Sequence, residues 1–298
     1  MGRSGPPGAG RARSFAGAAR APRRPARHGG AGRPAGSMIT SRSNPLIREL
    51  RAQLRGPSRR ADRVLVEGWR ALETAAAAGA SLDLLVYTPD AAHDARLAAL
   101  RAAAGPHGAR EVVAAPDVYA ALAQVATPQG VIGLARRPVP APDAVLAAPD
   151  ALIVVLDAVQ DPGNVGTIVR TAAAVGATAV LTTGGTADPF GPKALRAAAG
   201  TAFLVPLRHY VEAGAAAAEL RGRGIRLMIA GPLGGQLAAD ASFARPLAMI
   251  FGNEGAGPGA AWSHAGAETV RLPVANGVES LNVAAAAAIL LYRARGFI

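Results

Sequence analysis

What most constrains this chain is an alternation. From residue 62 onward, short apolar runs take turns with alanine-rich segments of helical period. "RVLVEG", "LDLLVYTP", "REVVAA" and "GVIGLARR" read as strands; "WRALETAAAAG", "ARLAALRAAAG" and "DVYAALAQV" read as the helices between them, the last capped by Asp117. Four prolines in 138–149 interrupt the pattern, which then resumes. "ALIVVLD", "AVLTTG", "FLVPL", "RLMIAG", "PLAMIFGN" and "ETVRLPV" are the next strands; "NVGTIVRTAAAVG", "GPKALRAAAG", "VEAGAAAAELRGRG" and "SLNVAAAAAILLYRARG" are the helices. Parallel strands need long crossovers, usually helical, and strands covered on both faces read as unbroken apolar runs. The expected fold is therefore α/β, with a parallel sheet in the second half and a smaller α/β unit before it.

The same pattern suggests boundaries. Residues 1–37 are Gly, Pro, Ala and Arg, too poor in large apolar side chains to offset ordering entropy, and are expected to be disordered. Residues 38–61 carry a basic helix that Asn44 caps and Pro45 opens. A small α/β domain spans 62–137, a proline-stiffened linker 138–149, and a second α/β domain 150–298.

Charge narrows the partner. The formal net charge is +12, and 1–37 supply eight arginines without a single acid. A second basic stretch runs from Arg42 to Arg63 and includes Arg59 and Arg60. The chain has 31 arginines and one lysine, a choice that genome composition explains; the clustering is a separate fact and suits a polyanion such as nucleic acid. There are no cysteines, which excludes disulfides, thiolate metal sites and cysteine nucleophiles. The five histidines have no metal-ligand spacing, so no metal is expected. No apolar run approaches the roughly 18 residues of a membrane helix, and the N-terminus lacks a secretory apolar region, so a cytoplasmic protein with no membrane partner is expected.

Three polar, glycine-containing loops follow strands of the second domain. "DPGNVGTIVR" joins a strand to a helix but lacks the G-x-G-x-x-G of a dinucleotide site, since nothing glycine-rich precedes Gly163 and Gly166. Its backbone N–H groups at a helix start would suit an anion, and Arg170 lies further along the same helix. "IFGNEGAGP" sets three glycines around Asn253 and Glu254. "LPVANGVESLN" is polar and flexible, with Ser280 as a candidate cap for the last helix.

Together these stretches resemble the SpoU (TrmH) family of RNA ribose 2′-O-methyltransferases, in the SPOUT superfamily. The likeness rests on "DPGNVGTIVRTAAAVGA", "IFGNEGAGP" and "VRLPVANGVESLNVAAAAAILLY", in that order, and covers nearly all of 150–298. The region 62–137, opening on "VLVEGWRAL", resembles the family's RNA substrate-binding domain. The resemblance implies a deep trefoil knot, a homodimer through the methyltransferase domain, and S-adenosylmethionine as cofactor. It places catalytic roles on Asn164, Arg170, Glu254, Ser280 and Asn282, and cofactor contacts on Gly252, Asn253, Leu272, Pro273 and Leu281. RNA contacts are assigned to Arg170, Lys193, Arg196, Arg59, Arg60 and Arg63. The implied reaction is methyl transfer to a ribose 2′-hydroxyl in bacterial large-subunit rRNA. A tRNA ribose methyltransferase, a base methyltransferase on the same knot and a non-catalytic RNA-binding or ribosome-assembly protein are the competing readings.

Overall fold

The computed structural model describes residues 38–55, 62–104 and 108–298. The tail 1–37, with the disorder expected of it, and Arg59 and Arg60 lie outside the described residues.

Helix α1 (Pro45–Arg55) opens as its sequence suggests: the Asn44 side chain accepts from Leu46 N at 3.0 Å, with Pro45 first in the helix. The chain then runs through β1 (Arg63–Glu67), α2 (Trp69–Ala77), β2 (Leu82–Tyr87), α3 (Ala95–Ala103), β3 (Arg110–Val113), α4 (Pro116–Ala120) and β4 (Val131–Arg136). These strands form a sheet in the order β1-β4-β2-β3. Only β2 and β3 are parallel; β4 lies between β1 and β2, antiparallel to both. Ile47 and Leu50 of α1 close one face of this sheet against Leu65, Leu84, Val86 and Ile132. Helix α4 is not capped by Asp117: its cap position is Ala115, Pro116 starts it, and Asp117 sits in the first turn.

A short turn of helix, α5 (Asp143–Leu146), interrupts the proline-rich linker and buries Leu146. The second sheet is built from β5 (Leu152–Asp157), β6 (Ala179–Thr182), β7 (Leu207–His209), β8 (Arg226–Ala230), β9 (Gln236–Leu237), β10 (Leu247–Gly252) and β11 (Glu268–Arg271). Its order is β7-β6-β5-β10-β8-β11-β9, and every pairing is parallel. The helices are α6 (Pro162–Ala174), α7 (Pro192–Ala198), α8 (Ala213–Gly222), α9 (Ala260–His264) and α10 (Val283–Arg295). All six residues of β5 and of β10 are buried, as central strands covered on both faces must be. One core, with Val165, Ile168, Leu195 and Leu290, lies on one face; Ile153, Ile250, Leu220 and Trp262 fill the other.

The first of these cores does not stop at the second sheet. It runs on through Phe203 and Leu195 to Val64, Trp69 and Leu72 of the first unit. Gly200, at φ +81°, permits this seam: a Cβ there would stand 2.5 Å from the Ala71 carbonyl oxygen. Arg196 of α7 donates to Gln124 Oε1 across the same seam at 2.8 Å.

Two further expectations are corrected. "FLVPL" is not a strand: Thr201–Phe203 forms a 3₁₀ turn, Phe203 packs edge-on to Phe190 at 5.3 Å, and β7 begins only at Leu207. The last helix is capped by Asn282, not Ser280; its Oδ1 accepts from Ala284 N at 2.9 Å and Ala285 N at 3.3 Å.

Candidate active site

The three loops leave the C-terminal ends of β5, β10 and β11, the edge where open parallel sheets bind ligands. Asp157 ends β5 directly opposite Gly252 at the end of β10, so the loops after them are neighbours. Helix α10 packs back on α6 and returns the third loop to the first. Asn164 is the meeting point. Its Nδ2 donates to Glu254 Oε1 at 3.0 Å, and its Oδ1 accepts from Asn282 Nδ2 at 3.1 Å. The partners are 90 and 118 positions away in sequence.

The direction of this chain of bonds is forced. A carboxylate only accepts, so Asn164 must turn its NH2 to Glu254 and its oxygen to Asn282. The oxygen of Asn282 is taken by the α10 cap, which leaves its NH2 for Asn164. Glu254 also accepts from the backbone N–H of Gln160 and of Asp161, each at 3.3 Å. Desolvation alone would raise its pKa; the hydrogen bonds from Asn164 and from the backbone amides outweigh it and hold the carboxyl below its ordinary 4.5.

The amides at the α6 N-terminus are not open to an external anion, contrary to the sequence reading. The Asp161 side chain caps Gly163 N and Asn164 N, and Glu254 takes the preceding pair. The hydrogen bond from Gly163 N, with help from Lys193, depresses the Asp161 pKa. Arg170 lies six residues past Asn164, about 9 Å along the helix and about 120° around it. It is exposed and makes no hydrogen bond or ion pair with any described residue. Ser280 is likewise exposed and is not joined to the network. The structure thus brings Asn164, Glu254 and Asn282 into contact and leaves Arg170 and Ser280 facing outward.

The residues assigned to the cofactor divide into two kinds. Gly252 lets the loop close on itself, since a Cβ there would meet Pro258 N at 2.0 Å. Asn253 is spent internally: Nδ2 donates to Ala158 O at 3.1 Å, and Oδ1 accepts from Gly255 N at 3.0 Å and Ala256 N at 2.9 Å. Leu272 is half-buried against the main core, while Pro273 and Leu281 are exposed. The ladder between β10 and β8 ends at Ile250, two residues before β10 itself does.

Three of the assigned RNA contacts have partners within the chain. Lys193 pairs with Asp161 at 3.3 Å, Arg63 with Asp83 at 2.8 Å, and Arg196 with Gln124. Sequence reasoning missed Asp161 as the α6 cap and Asp157 as a buried acceptor beneath the loops. The only trace of either was an acid at the end of an apolar run or just before Pro162. Among the described residues no group of three or more His, Asp or Glu could hold a metal ion, and no helix is long and apolar enough to cross a membrane.

Comparison with known proteins meets this geometry. Residues 151–292 match the SpoU rRNA Methylase family, and 44–133 match the MRM3-like substrate binding domain. An uncharacterized tRNA/rRNA methyltransferase from Synechocystis is 34% identical over 263 residues, covering 86% of this chain and 93% of that protein. A 23S rRNA (uridine(2479)-2′-O)-methyltransferase from Streptomyces viridochromogenes is 32% identical, covering 90% and 95%. Among solved structures, the SpoU methyltransferase AviRb from Streptomyces viridochromogenes in complex with AdoMet matches with a TM-score of 0.75 at 28% identity, over 85% of this chain and 98% of that one. An AdoMet-bound rRNA methyltransferase from Sinorhizobium meliloti matches equally, with a TM-score of 0.75 at 28% identity over 88% and 98%. With its three loops joined through one asparagine and its relatives matched over nearly their whole length, this chain belongs to the SpoU rRNA methylase family.

Proposed function

We propose that the protein transfers the methyl group of S-adenosylmethionine to a ribose 2′-hydroxyl of large-subunit rRNA. The observation that carries this is the Glu254–Asn164–Asn282 network at the C-terminal edge of the sheet, with Arg170 unpaired among the described residues on the same helix. The Streptomyces viridochromogenes relative named as a 23S rRNA 2′-O-methyltransferase supports the substrate.

The residues fit the cofactor. A nucleoside needs an apolar wall and a polar edge; Leu272, Pro273 and Leu281 offer the first, and the end of β10 past its ladder with β8, at Phe251 and Gly252, offers the second. Asn253 shapes that loop from within. When bound, the cofactor supplies a methyl group activated by its sulfonium, so the chain need only align the acceptor and manage its proton and charge.

Arg170 is the residue assigned to the acceptor. A guanidinium holds its proton in proteins, so it does not serve as a base. It binds a phosphate of the acceptor strand bidentately and stabilises the oxyanion that develops at the 2′-oxygen as the hydroxyl proton passes to solvent, the methyl carbon bonding to that oxygen as its bond to sulfur breaks and the neutral thioether leaves. Asn164, Glu254 and Asn282 hold the three loops in one arrangement, and Ser280, exposed at the mouth, orients the ribose. RNA is gripped by the substrate-binding domain, 62–137, and by the basic segment before it, with Lys193, Arg196, Arg59, Arg60 and Arg63 contributing charge. The same reading carries a trefoil knot in the methyltransferase domain, 150–298, a homodimer through that domain, and a place in the bacterial cytoplasm. The exposed apolar side chains of Ile289, Tyr292 and Phe297 on and beside α10 support the homodimer. Incubation with tritiated S-adenosylmethionine and ribosomal RNA tests the activity: label resistant to alkaline cleavage at one ribose is expected, and label in a base would refute ribose chemistry.

A further inference from the structure

We propose that Asp157 is a positioning residue of this site, fastening the loop that carries Glu254 to the strand that carries the Asn164 loop. The proposal rests on the methyl-transfer reading above and adds a residue that none of the three loops' motifs contains. Asp157 is the last residue of β5 and only 4% exposed; it is the one carboxylate in the buried polar set of the described residues, beside Thr182, Thr183 and Thr186. A buried carboxylate is costly unless its oxygens are satisfied. Both are. One accepts from Gly259 N at 2.7 Å, and the other accepts from the Thr183 hydroxyl.

These two partners explain what the group does. Gly259 is the far leg of the loop 252–259, and Thr183 opens the loop after β6. The near leg is fastened separately, by Asn253 Nδ2 to Ala158 O at 3.1 Å. Across the neck, Asn253 and Gly257 exchange backbone bonds of 3.1 and 2.9 Å. Glu254 therefore sits on a loop pinned at one end to the last residue of β5 and at the other to the residue after it. Its own bonds to Asn164, Gln160 and Asp161, at 3.0 to 3.3 Å, have little slack before they are lost. A carboxylate suits the task because it is short and offers two acceptors pointing apart, one for each loop. Thr186 adds a parallel tie, donating to Leu156 O at 2.8 Å. Asp157 reaches no exposed surface of the site, so it acts through Glu254 rather than on substrate.

The test compares Asp157→Ala, Asp157→Asn and Thr183→Val in the full chain. Asparagine keeps an acceptor for Gly259 N, and the Thr183 hydroxyl can turn to accept from its NH2. Four quantities are read: kcat, KM for RNA, cofactor affinity by calorimetry, and the titration of the Glu254 carboxyl by carbon NMR. Asp157→Ala is expected to lower kcat about tenfold or more at unchanged KM, with Glu254 titrating closer to an ordinary glutamate. Asp157→Asn is expected to stay within about threefold of the parent, with the Glu254 titration unmoved. Should the alanine variant fail to fold, Thr183→Val, which loses one tie and keeps the shape, carries the same expectation. Parental kcat and an unmoved Glu254 in the alanine or valine variant overturn the proposal; so does an asparagine variant as damaged as alanine. If the parent protein transfers no methyl group to RNA, the functional reading fails, and the Glu254 titration still decides the role of Asp157.

Discussion

The carboxamide of Asn164 donates to Glu254 and accepts from Asn282, so alanine there severs both links while leaving α6 intact. Losing a hydrogen bond to a charged group costs about 1.5–3 kcal/mol, so Asn164→Ala should lower kcat by about 10- to 100-fold, read by single-turnover methyl transfer. Glu254 gives a pH prediction with a definite sign. Its folded pKa lies below 4.5, so its contribution is complete above that value and is lost as pH falls through the depressed one. Cofactor affinity measured by calorimetry should therefore hold steady from pH 7 down to 4.5; a loss centred above 4.5 would contradict the network. At this scale the resemblance named Asn164, Glu254 and Asn282, which the structure joins, together with Arg170 and Ser280, which it leaves apart, and it gave none of their partners. Ser280 and Asn282 cap helices about equally well, so the sequence around them leaves the choice open. The structure chooses Asn282 because one carboxamide serves both the cap and Asn164, which a hydroxyl of serine's length does not. Asp157 was illegible for a different reason: an acid closing an apolar run looks like the start of a turn, and its partners lie 26 and 102 positions away.

Helices α6 and α7 approach so closely that Gly166 has no room for a side chain: a Cβ would stand 2.2 Å from Ala194 O and 2.7 Å from the Ala197 methyl. Backbone on one side and packed helix on the other leave little to give. Gly166→Ala should cost about 1–3 kcal/mol and lower Tm by several degrees, seen by calorimetric unfolding. The period of apolar residues made most strands and helices legible, since it records burial directly. It did not reveal that β4 inserts between β1 and β2, because alternation sets the length of each crossover and not the order of the strands. Nor did it separate "FLVPL" from a strand, since Phe203 is buried by a ring contact rather than by a ladder.

Over the whole molecule, a core continuous from Trp69 to Leu195 and the Arg196–Gln124 bond join the two sheets. In the proposed function, the unit that grips substrate and the unit that carries the chemistry are thereby packed on one core. Charge acts on the same scale. The eight acid-free arginines of 1–37 should add nonspecific affinity that fades steeply with salt, so removing them should flatten the salt dependence of RNA binding and leave kcat near the parent value. Filter binding across a salt series, paired with turnover, checks both halves. In the proposed function Arg170 serves a ribose held beside the cofactor. The measurement that tests it most directly maps 2′-O-methylation across large-subunit rRNA after reaction with the parent protein and with Arg170→Ala, alongside calorimetric cofactor affinity for each. One methylated ribose is expected with the parent, none with the variant, and equal cofactor affinity for both. Methylation that survives in Arg170→Ala, or cofactor affinity that falls with it, would contradict the account.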